Sequence, residues 1–349
     1  MLVSPARFWF LNQSKYLKAY LKCKFWSVRH NLNKILLKYS WSWQNKFIQL
    51  ITTRQLISVQ TRLLSEQQQL NEYIQNYKTE KQLGPTKYGH SCLAKHIITG
   101  EKVFIKAVEK DNKLDLMYQK EYNKNSIQQE IMIQKWLVNP YIVNVFETIN
   151  TPNYLYVIME YAENGELFEY LKQKKRFTEQ QAGRIFVQLI NGINYCHSKK
   201  VCHRNLKLEN ILLDSHLNVK ISNFEYASLL EDDNMLSIIC GTPSYASPEL
   251  LSKKKFDGPL TDVWACGIIL FAMLCGYLPF DDDDLKNLYK KIKKGQFQIP
   301  TYVSPIARDL ISKILVIDPN QRISISQIMQ YPWFLKNARL RHKLSYIQR

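Results

Sequence analysis

The pattern of apolar and polar positions predicts a mixture of strands and helices between residues 80 and 334. VFIKAV (103–108) and YLYVIMEY (154–161) are short runs rich in β-branched and aromatic residues, which is typical of buried strands. IILFAMLCGYLPF (268–280) is the longest apolar run, and it is too short to span a bilayer, so we expect a buried core helix. EQQAGRIFVQLINGINYCHS (179–198) predicts an amphipathic helix, with apolar residues at helical spacing at positions 182, 185, 186, 189, 190 and 193.

The first 79 residues differ in composition from the rest and predict a basic amino-terminal extension. Residues 1–65 hold eleven Lys and Arg and no Asp or Glu, within a chain of net charge +18. Apolar positions 56, 59, 63, 70, 74 and 77 predict an amphipathic helix towards the end of this region. A disordered or loosely helical extension is one interpretation. The alternatives are a mitochondrial presequence or an anchor to a membrane surface, and then a nucleic-acid-binding arm.

The seven cysteines favour an intracellular protein with reduced, mostly buried thiols. Their number is odd, and no Cys-x-x-Cys pair occurs, so neither a disulfide framework nor a zinc site is expected. No nucleic-acid-binding motif accompanies the basic charge, so nucleic acid is not an expected partner. We therefore predict a cytoplasmic protein, with association to mitochondria or a membrane surface through residues 1–79 as the alternative.

A series of motifs follows in one order between residues 83 and 322, and together these motifs resemble the protein kinase family. They are LGPTKYGHS (83–91), VFIK (103–106), the glutamate of IQQE (Glu130), MEYAENGELFEYL (159–171), HRN (203–205), SNFE (222–225), ICGTPSYASPE (239–249), DVWACG (262–267) and DPNQR (318–322). The resemblance is to the serine/threonine branch, and within it to the AMP-activated and calcium/calmodulin-dependent groups. It implies an α+β, bilobal fold with a β-rich lobe at 80–161, a helical lobe at 162–334 and a basic tail at 335–349.

The resemblance also assigns roles to residues that match the family motifs. Lys207 and Asn210 match catalytic positions, and Asn210 is also a metal ligand. Structural roles fall on His203, Phe224, Glu249, Asp262 and Arg322. The nucleotide-binding positions are Gly84, Gly89, Lys106, Glu130, Glu160, Ala162, Glu166 and Leu212.

Three departures from the family pattern affect the chemistry directly. Asn205 replaces the aspartate that accepts the proton of the substrate hydroxyl, and a neutral amide does not accept a proton near neutral pH. Asn223 replaces the carboxylate that binds Mg²⁺, and an amide oxygen is a poorer ligand for this hard cation. Glu225 replaces a glycine, which adds negative charge beside the position of anionic phosphates and removes backbone freedom.

Further departures affect the nucleotide pocket. Thr86 replaces the middle glycine of the phosphate loop, and Pro85 removes an N–H there. Ser91 replaces the valine that covers the adenine in the family. Phe104 replaces a small alanine that faces the purine, so its benzyl group is expected to block part of the adenine volume.

Regulatory positions have changed as well. The activating phosphothreonine of AMP-activated kinases falls on Ile238, which has no hydroxyl, so Arg204 loses a phosphate partner. Gln134 stands at an apolar position of the family, where an amide must find its own partner or loosen the arrangement.

These departures lead to the prediction of a pseudokinase, a scaffold or allosteric partner in phosphorylation signalling that binds a protein such as an active kinase or its substrate. The alternative is a weakly active serine/threonine kinase that uses ATP and Mg²⁺. No cofactor is expected under the first interpretation. A third hypothesis, an adaptor recruited to membranes, places the function in residues 1–79.

Overall fold

The computed structural model describes residues 74–86, 88–110, 125–230, 235–236, 241–252 and 256–347. The chain divides into two compact units, Met1–Glu101 and Lys102–Arg349, which are treated separately below. Residues 1–73 and Ile238 lie outside the described residues, so the predictions on the basic extension and on the lost phosphosite stay predictions. The predicted domain boundaries at 79/80 and 334/335 also stay predictions.

The described part of the first unit is an antiparallel hairpin of β1 (Tyr77–Thr86) and β2 (Gly89–His96). Pairing runs from Tyr77 opposite His96 to Thr86 opposite Gly89, with two irregularities along β1. The predicted helix is wrong at its described end, because Ile74 precedes a turn and Tyr77 begins β1. Apolar residues three apart fit a helix on spacing alone, but here Tyr77 is buried within a strand pair.

The second unit begins with three strands, β3 (Lys102–Glu109), β4 (Val145–Asn150) and β5 (Tyr154–Glu160). Their order is β3-β5-β4, and both pairings are antiparallel. The two predicted strands are therefore confirmed. The helix α1 (Asn125–Trp136) lies between β3 and β4 in sequence, and its residue Lys135 donates from Nζ to the Thr148 hydroxyl of β4 at 2.9 Å.

The rest of the second unit is mainly helical. Its helices are α2 (Leu167–Lys174), α3 (Glu179–Ser198), α4 (Gly258–Cys275), α5 (Leu285–Lys294), α6 (Pro305–Ile314), α7 (Ile325–Met329) and α8 (Pro332–Ile347). Short strands form the antiparallel pairs β6 (Val201–Cys202) with β9 (Ser228–Leu229), β7 (Ile211–Leu213) with β8 (Val219–Ile221), and β10 (Met235–Leu236) with β11 (Phe256–Asp257).

The predicted amphipathic helix is confirmed as α3, with the predicted bounds. Thr178 caps it: the Thr178 hydroxyl accepts from the Gln181 backbone N–H, and the Gln181 side chain accepts from the Thr178 N–H. All six predicted core positions are buried, namely Ala182, Ile185, Phe186, Leu189, Ile190 and Ile193. The helix thus supplies one wall of the main hydrophobic core.

The predicted core helix is confirmed for residues 268–275, which lie in α4, but residues 276–280 follow the end of the helix. The Asp257 side chain caps its start by accepting from the Leu260 N–H, and Gly276 ends it with φ 86°. A side chain at Gly276 would also collide with the Lys175 carbonyl oxygen, so glycine is required there. Among the described residues, α4 is the one helix long and apolar enough to cross a membrane, yet 89% of it is buried inside the protein.

The described cysteines are free thiols in the interior, as predicted. They are Cys92, Cys196, Cys202, Cys266 and Cys275, and all are buried. Burial raises the pKa of the Cys92 and Cys275 thiols to about 11, which keeps them protonated and unreactive near neutral pH.

Candidate active site

The side chains of Lys106 and Glu130 form the predicted ion pair. Lys106 lies on β3 and Glu130 on α1, and the distance from Nζ to Oε1 is 3.3 Å. Glu130 is buried, while Lys106 keeps about a fifth of its side chain exposed. The pair joins α1 to the sheet and presents an ammonium group for an anionic ligand.

The loop HRN (203–205) is held by the carboxylate of Asp262, which lies on α4. Asp262 Oδ2 accepts from the His203 N–H at 2.9 Å, and Oδ1 accepts from the Arg204 N–H at 2.8 Å. Burial alone would raise the pKa of Asp262, but the hydrogen bond and charge of His197 lower it below its usual range. The bracing role that the family resemblance implied for Asp262 therefore has a physical basis in these bonds.

Two further side chains support Asp262, and the sequence had not identified them. His197 Nε2 lies 2.9 Å from Oδ2, and the Cys202 thiol donates to the same oxygen at 3.2 Å. These three groups are close enough to suggest a metal site. In this structure the Cys202 thiol and the N–H groups of His203 and Arg204 all donate to the Asp262 carboxylate, so the cluster braces the HRN loop.

His203 and Phe224 pack against each other as predicted, with ring centroids 4.7 Å apart. His203 Nδ1 accepts from the Asn205 N–H at 3.2 Å, so the ring proton belongs on Nε2, which donates to the Ser222 carbonyl at 3.0 Å. Burial lowers the pKa of His203, in agreement with this neutral form.

The three asparagines of the site form a continuous hydrogen-bonded chain. The Asn210 amide donates to the Asn205 carbonyl oxygen at 2.7 Å, and the Asn223 amide donates to Asn210 Oδ1 at 3.2 Å. Asn210 is the one metal-ligand position of the family that is retained, and its side-chain oxygen already accepts an N–H. These residues do not fit a divalent cation, because both metal-ligand positions hold a neutral amide and the Asn223 NH₂ group faces Asn210 Oδ1.

The Asn205 side chain points towards Thr242 of the activation segment, whose hydroxyl donates to Asn205 Oδ1 at 3.3 Å. Lys207 Nζ lies 3.7 Å from Glu209 Oε1. The catalytic roles of these two positions stay predictions, and the Asn205 amide has no proton-accepting group near neutral pH.

Phe104 lies on β3 with its side chain partly buried. It packs against Val143, Val145, Val157 and Met159, and Leu212 of β7 packs against the same cluster. Leu212 is a predicted nucleotide-binding position. Phe104 therefore packs against the same apolar cluster as a residue that is expected to contact the nucleotide. The expectation that Phe104 blocks part of the adenine volume stays a prediction.

The remaining predicted pocket residues of the second unit lie on β5 and the segment after it. Glu160 pairs through Oε1 with Lys220 Nζ at 2.5 Å and accepts from the Asn144 N–H at 3.2 Å. Ala162 is buried. Glu166 forms a β-bridge with Leu212, and burial, with the charges of Glu209 and Glu169, raises the Glu166 pKa.

The predicted phosphate-loop residues lie at the closed end of the hairpin in the first unit. Gly84 has φ 129°, a conformation that other residues rarely adopt, and Gly89 begins β2. Ser91 is buried, and its hydroxyl donates to the Gly84 carbonyl at 3.3 Å. The hydroxyl is thereby satisfied inside the hairpin.

The predicted pair of Glu249 and Arg322 is present and bidentate. Arg322 Nη1 lies 2.6 Å from Glu249 Oε1, and Nη2 lies 2.8 Å from Oε2. The guanidinium also donates to the carbonyl oxygens of Leu260 and Val316 and lies 5.0 Å from the centre of the Trp264 ring. All these contacts lie within the second unit.

Gln134, at a changed position, and Arg204, which loses its phosphate partner, both have other partners. Gln134 is buried and donates to the Val143 carbonyl at 3.2 Å, so it follows the first of the two predicted outcomes. Arg204 Nη1 donates to the Ser228 hydroxyl at 3.4 Å. The Gln134 amide therefore has its own partner, and Arg204 has a polar contact that does not need a phosphate group.

Comparison with known proteins identifies the family. A family model described as the protein kinase domain matches residues 77–334, which is most of the chain. The chain belongs to the protein kinase family. This match confirms the predicted α+β protein kinase fold.

Curated protein kinases resemble this chain over about three quarters of its length. The SNF1-related protein kinase catalytic subunit alpha KIN12 of Arabidopsis thaliana is 43% identical over 259 residues, 74% of this chain and 51% of that protein. Serine/threonine protein kinase OSK3 of Oryza sativa subsp. indica is 43% identical over 76% of this chain and 51% of its own length. A carbon catabolite-derepressing protein kinase of Candida glabrata is 42% identical over 74% of this chain and 41% of its own length.

Of the two predicted groups, these SNF1-related relatives support the AMP-activated group. This chain spans about half the length of the curated kinases it matches. Activity, substrates and partners of the whole relatives are therefore not transferred to it by similarity alone.

We expect the stability of the kinase domain to fall as the pH decreases below about 6.5, because of His203. Above about pH 6.5, the unfolded-state pKa of histidine, the ring is neutral in both states. Below it the unfolded chain binds a proton that the buried ring does not, because its folded pKa is lowered, so the free energy of unfolding decreases. Chemical denaturation at a series of pH values on both sides of about 6.5 measures the slope of the free energy of unfolding against pH. His203→Phe should have a shallower slope, and an unchanged slope would contradict the prediction.

Proposed function

We propose that this chain is a pseudokinase of the SNF1-related group, which acts as a scaffold or allosteric partner in phosphorylation signalling. The observation that carries the proposal is the asparagine chain of the active site. The base position holds Asn205, and the metal position holds Asn223, whose amide donates to Asn210. The catalytic base and the metal-binding carboxylate are therefore both lost, while the hydrogen bonds from the HRN loop to Asp262 remain.

The lost groups supply the main terms of phosphoryl transfer. A general base contributes about 10²–10⁴ in rate. Charge neutralisation by metal ions contributes a further large term, because the transferred group develops negative charge on its oxygens. Lys106 and Lys207 remain as cations, but neither accepts a proton from a substrate hydroxyl at neutral pH.

The apolar packing of Phe104 supports a second part of the proposal, which is weak binding of ATP. Phe104 and Leu212 pack on one cluster, which supports the proposal that the Phe104 ring occupies space that the purine takes in the family. A ligand that must displace a packed aromatic ring loses the apolar contacts of that ring before it gains its own.

A role as a binding partner is consistent with the retained framework. Asp262 still braces the HRN loop, and Arg322 still anchors Glu249. Such a framework keeps the shape of a surface that a partner protein could bind, although the catalytic groups are lost. We propose an intracellular protein partner, either an active kinase or one of its substrates, and we propose contact with membranes or mitochondria through residues 1–79 as the alternative means of recruitment.

The second candidate is a weakly active serine/threonine kinase that uses ATP. The names of the similar proteins favour it, since each is named as a protein kinase. The ion pair between Lys106 and Glu130 also favours it, because that pair would hold the phosphates of a bound nucleotide. Asn205 would then orient a hydroxyl without accepting its proton.

We expect the purified full chain to show almost no thermal shift with millimolar Mg-ATP and no phosphate transfer to generic Ser/Thr peptides or to itself. A ligand at one hundred times its dissociation constant would add roughly 2.7 kcal/mol to the free energy of unfolding, which a melting curve detects easily. Lys106→Met is the control for transfer. Transfer by the wild type that is abolished in Lys106→Met would overturn the pseudokinase proposal in favour of the second candidate.

A further inference from the structure

The orientation of each amide in the asparagine chain follows from its partner. The Asn210 NH₂ group must face the Asn205 carbonyl, which only accepts, at 2.7 Å. Asn210 Oδ1 is therefore the atom that faces Asn223. Since Oδ1 also only accepts, Asn223 must present its NH₂ group, and the distance between these two atoms is 3.2 Å. The direction of both hydrogen bonds is thus determined by the backbone carbonyl at one end.

An aspartate at position 223 would change the balance of donors and acceptors. Its carboxylate would bring two acceptor oxygens to Asn210 Oδ1, and the two groups would repel each other unless a proton or a cation lay between them. The amide of Asn223 removes this requirement because it supplies the donor itself.

Neighbouring contacts hold the same segment around Asn210. The Ser222 N–H and hydroxyl both donate to the Asn210 carbonyl, at 2.9 and 3.0 Å. Phe224 is fully buried against His203. Asn223 itself has φ 62°, in the left-handed region that asparagine enters more readily than most residues. The backbone conformation at position 223 and the hydrogen bond to Asn210 therefore both favour asparagine there.

We infer that Asn223 takes the place of a divalent cation in this site, so that the SNFE segment (222–225) keeps its position without one. We expect no Mg²⁺ at Asn210, because the Asn223 NH₂ group, whose hydrogens repel a cation, lies 3.2 Å from Asn210 Oδ1 and no charged oxygen replaces it at position 223. This inference goes beyond the proposed function, since it concerns cation dependence of the fold, and its test reads stability and not phosphate transfer.

The test compares melting temperatures of the full chain in EDTA and in millimolar Mg²⁺. The wild type should melt at the same temperature in both. Asn223→Asp should melt about 5 °C lower in EDTA, since a buried acceptor then lacks its donor, and Mg²⁺ should restore most of this loss. Asn337→Asp is the matched control, because the buried Asn337 amide also donates to an oxygen, the Trp333 carbonyl at 2.8 Å. It should melt lower in both conditions, with no recovery in Mg²⁺.

Two results would overturn the inference. One is a wild type whose melting temperature rises with Mg²⁺ as much as that of Asn223→Asp. The other is an Asn223→Asp protein with neither a loss in EDTA nor a gain in Mg²⁺. If Asn223→Asp does not fold, Mn²⁺ binding to the wild type decides the question by electron paramagnetic resonance. We expect no bound Mn²⁺ that is lost in Asn210→Ala, and such binding would contradict the inference.

Discussion

Arg322→Ala should lower the free energy of unfolding of the kinase domain by about 3–5 kcal/mol, a change in melting temperature on the order of 10 °C. The Arg322 side chain is completely buried and makes two short bonds to the Glu249 carboxylate. Removing the guanidinium leaves Glu249 mostly buried without its counter-charge. The carbonyl oxygens of Leu260 and Val316 lose a donor at the same time.

A matched control separates this effect from the loss of any ion pair. Lys313→Ala removes the pair with Asp309, in which both side chains are about half exposed and 3.9 Å apart. Its expected effect is within about 0.5 kcal/mol, because solvent screens exposed pairs. Thermal melting or urea denaturation measures both variants. Equal, small effects would show that Arg322 does not anchor the fold.

The pairs that hold the second unit together were predicted from the resemblance to a family and not from residue spacing. The partners of Lys106 and Arg322 lie 24 and 73 residues away in sequence, so periodicity alone does not identify them. The resemblance to a family supplied these pairings. The strands and the amphipathic helix, in contrast, followed from local apolar patterns, because a buried face imposes a period on the sequence.

The parts of the site that the sequence did not reveal depend on hydrogen-bond direction and on short-range packing. His197 and Cys202 both bond to Asp262, but neither residue type indicates this role at its position. Lys220 pairs with Glu160 across 60 residues of chain, again without a local signal. The substitution of Asn223 predicted only a weaker metal ligand. The bond to Asn210 appears once backbone geometry brings the two amides together.

The apolar spacing at residues 56–77 shows that periodicity can also predict the wrong element. Its last positions matched a helix, yet Tyr77 belongs to a strand paired with β2. A few apolar residues near an element boundary fit more than one period, and the strand partner decides between them.

Restoring the lost carboxylates should not restore a working kinase unless Phe104 is also changed. Asn205→Asp with Asn223→Asp returns the base and the metal ligand, so the chemical step becomes competent. Phe104 still packs on the cluster beside Leu212, and ATP binding stays weak. We expect phosphate transfer by this double variant to remain near background.

Adding Phe104→Ala to the double variant should raise phosphate transfer by about 10², which corresponds to about 2.8 kcal/mol of recovered ATP-binding free energy. Phe104→Ala alone should recover a thermal shift with Mg-ATP but no transfer, because Asn205 still cannot accept a proton. Phe104→Leu in the double variant is the control, since its side chain keeps most of the volume on the same cluster and should leave transfer near background. Thermal shifts and radiolabelled phosphate transfer measure the series. Efficient transfer by the double variant with Phe104 intact would show that the aromatic ring leaves the purine its space, and that the loss of activity rests on the two asparagines alone.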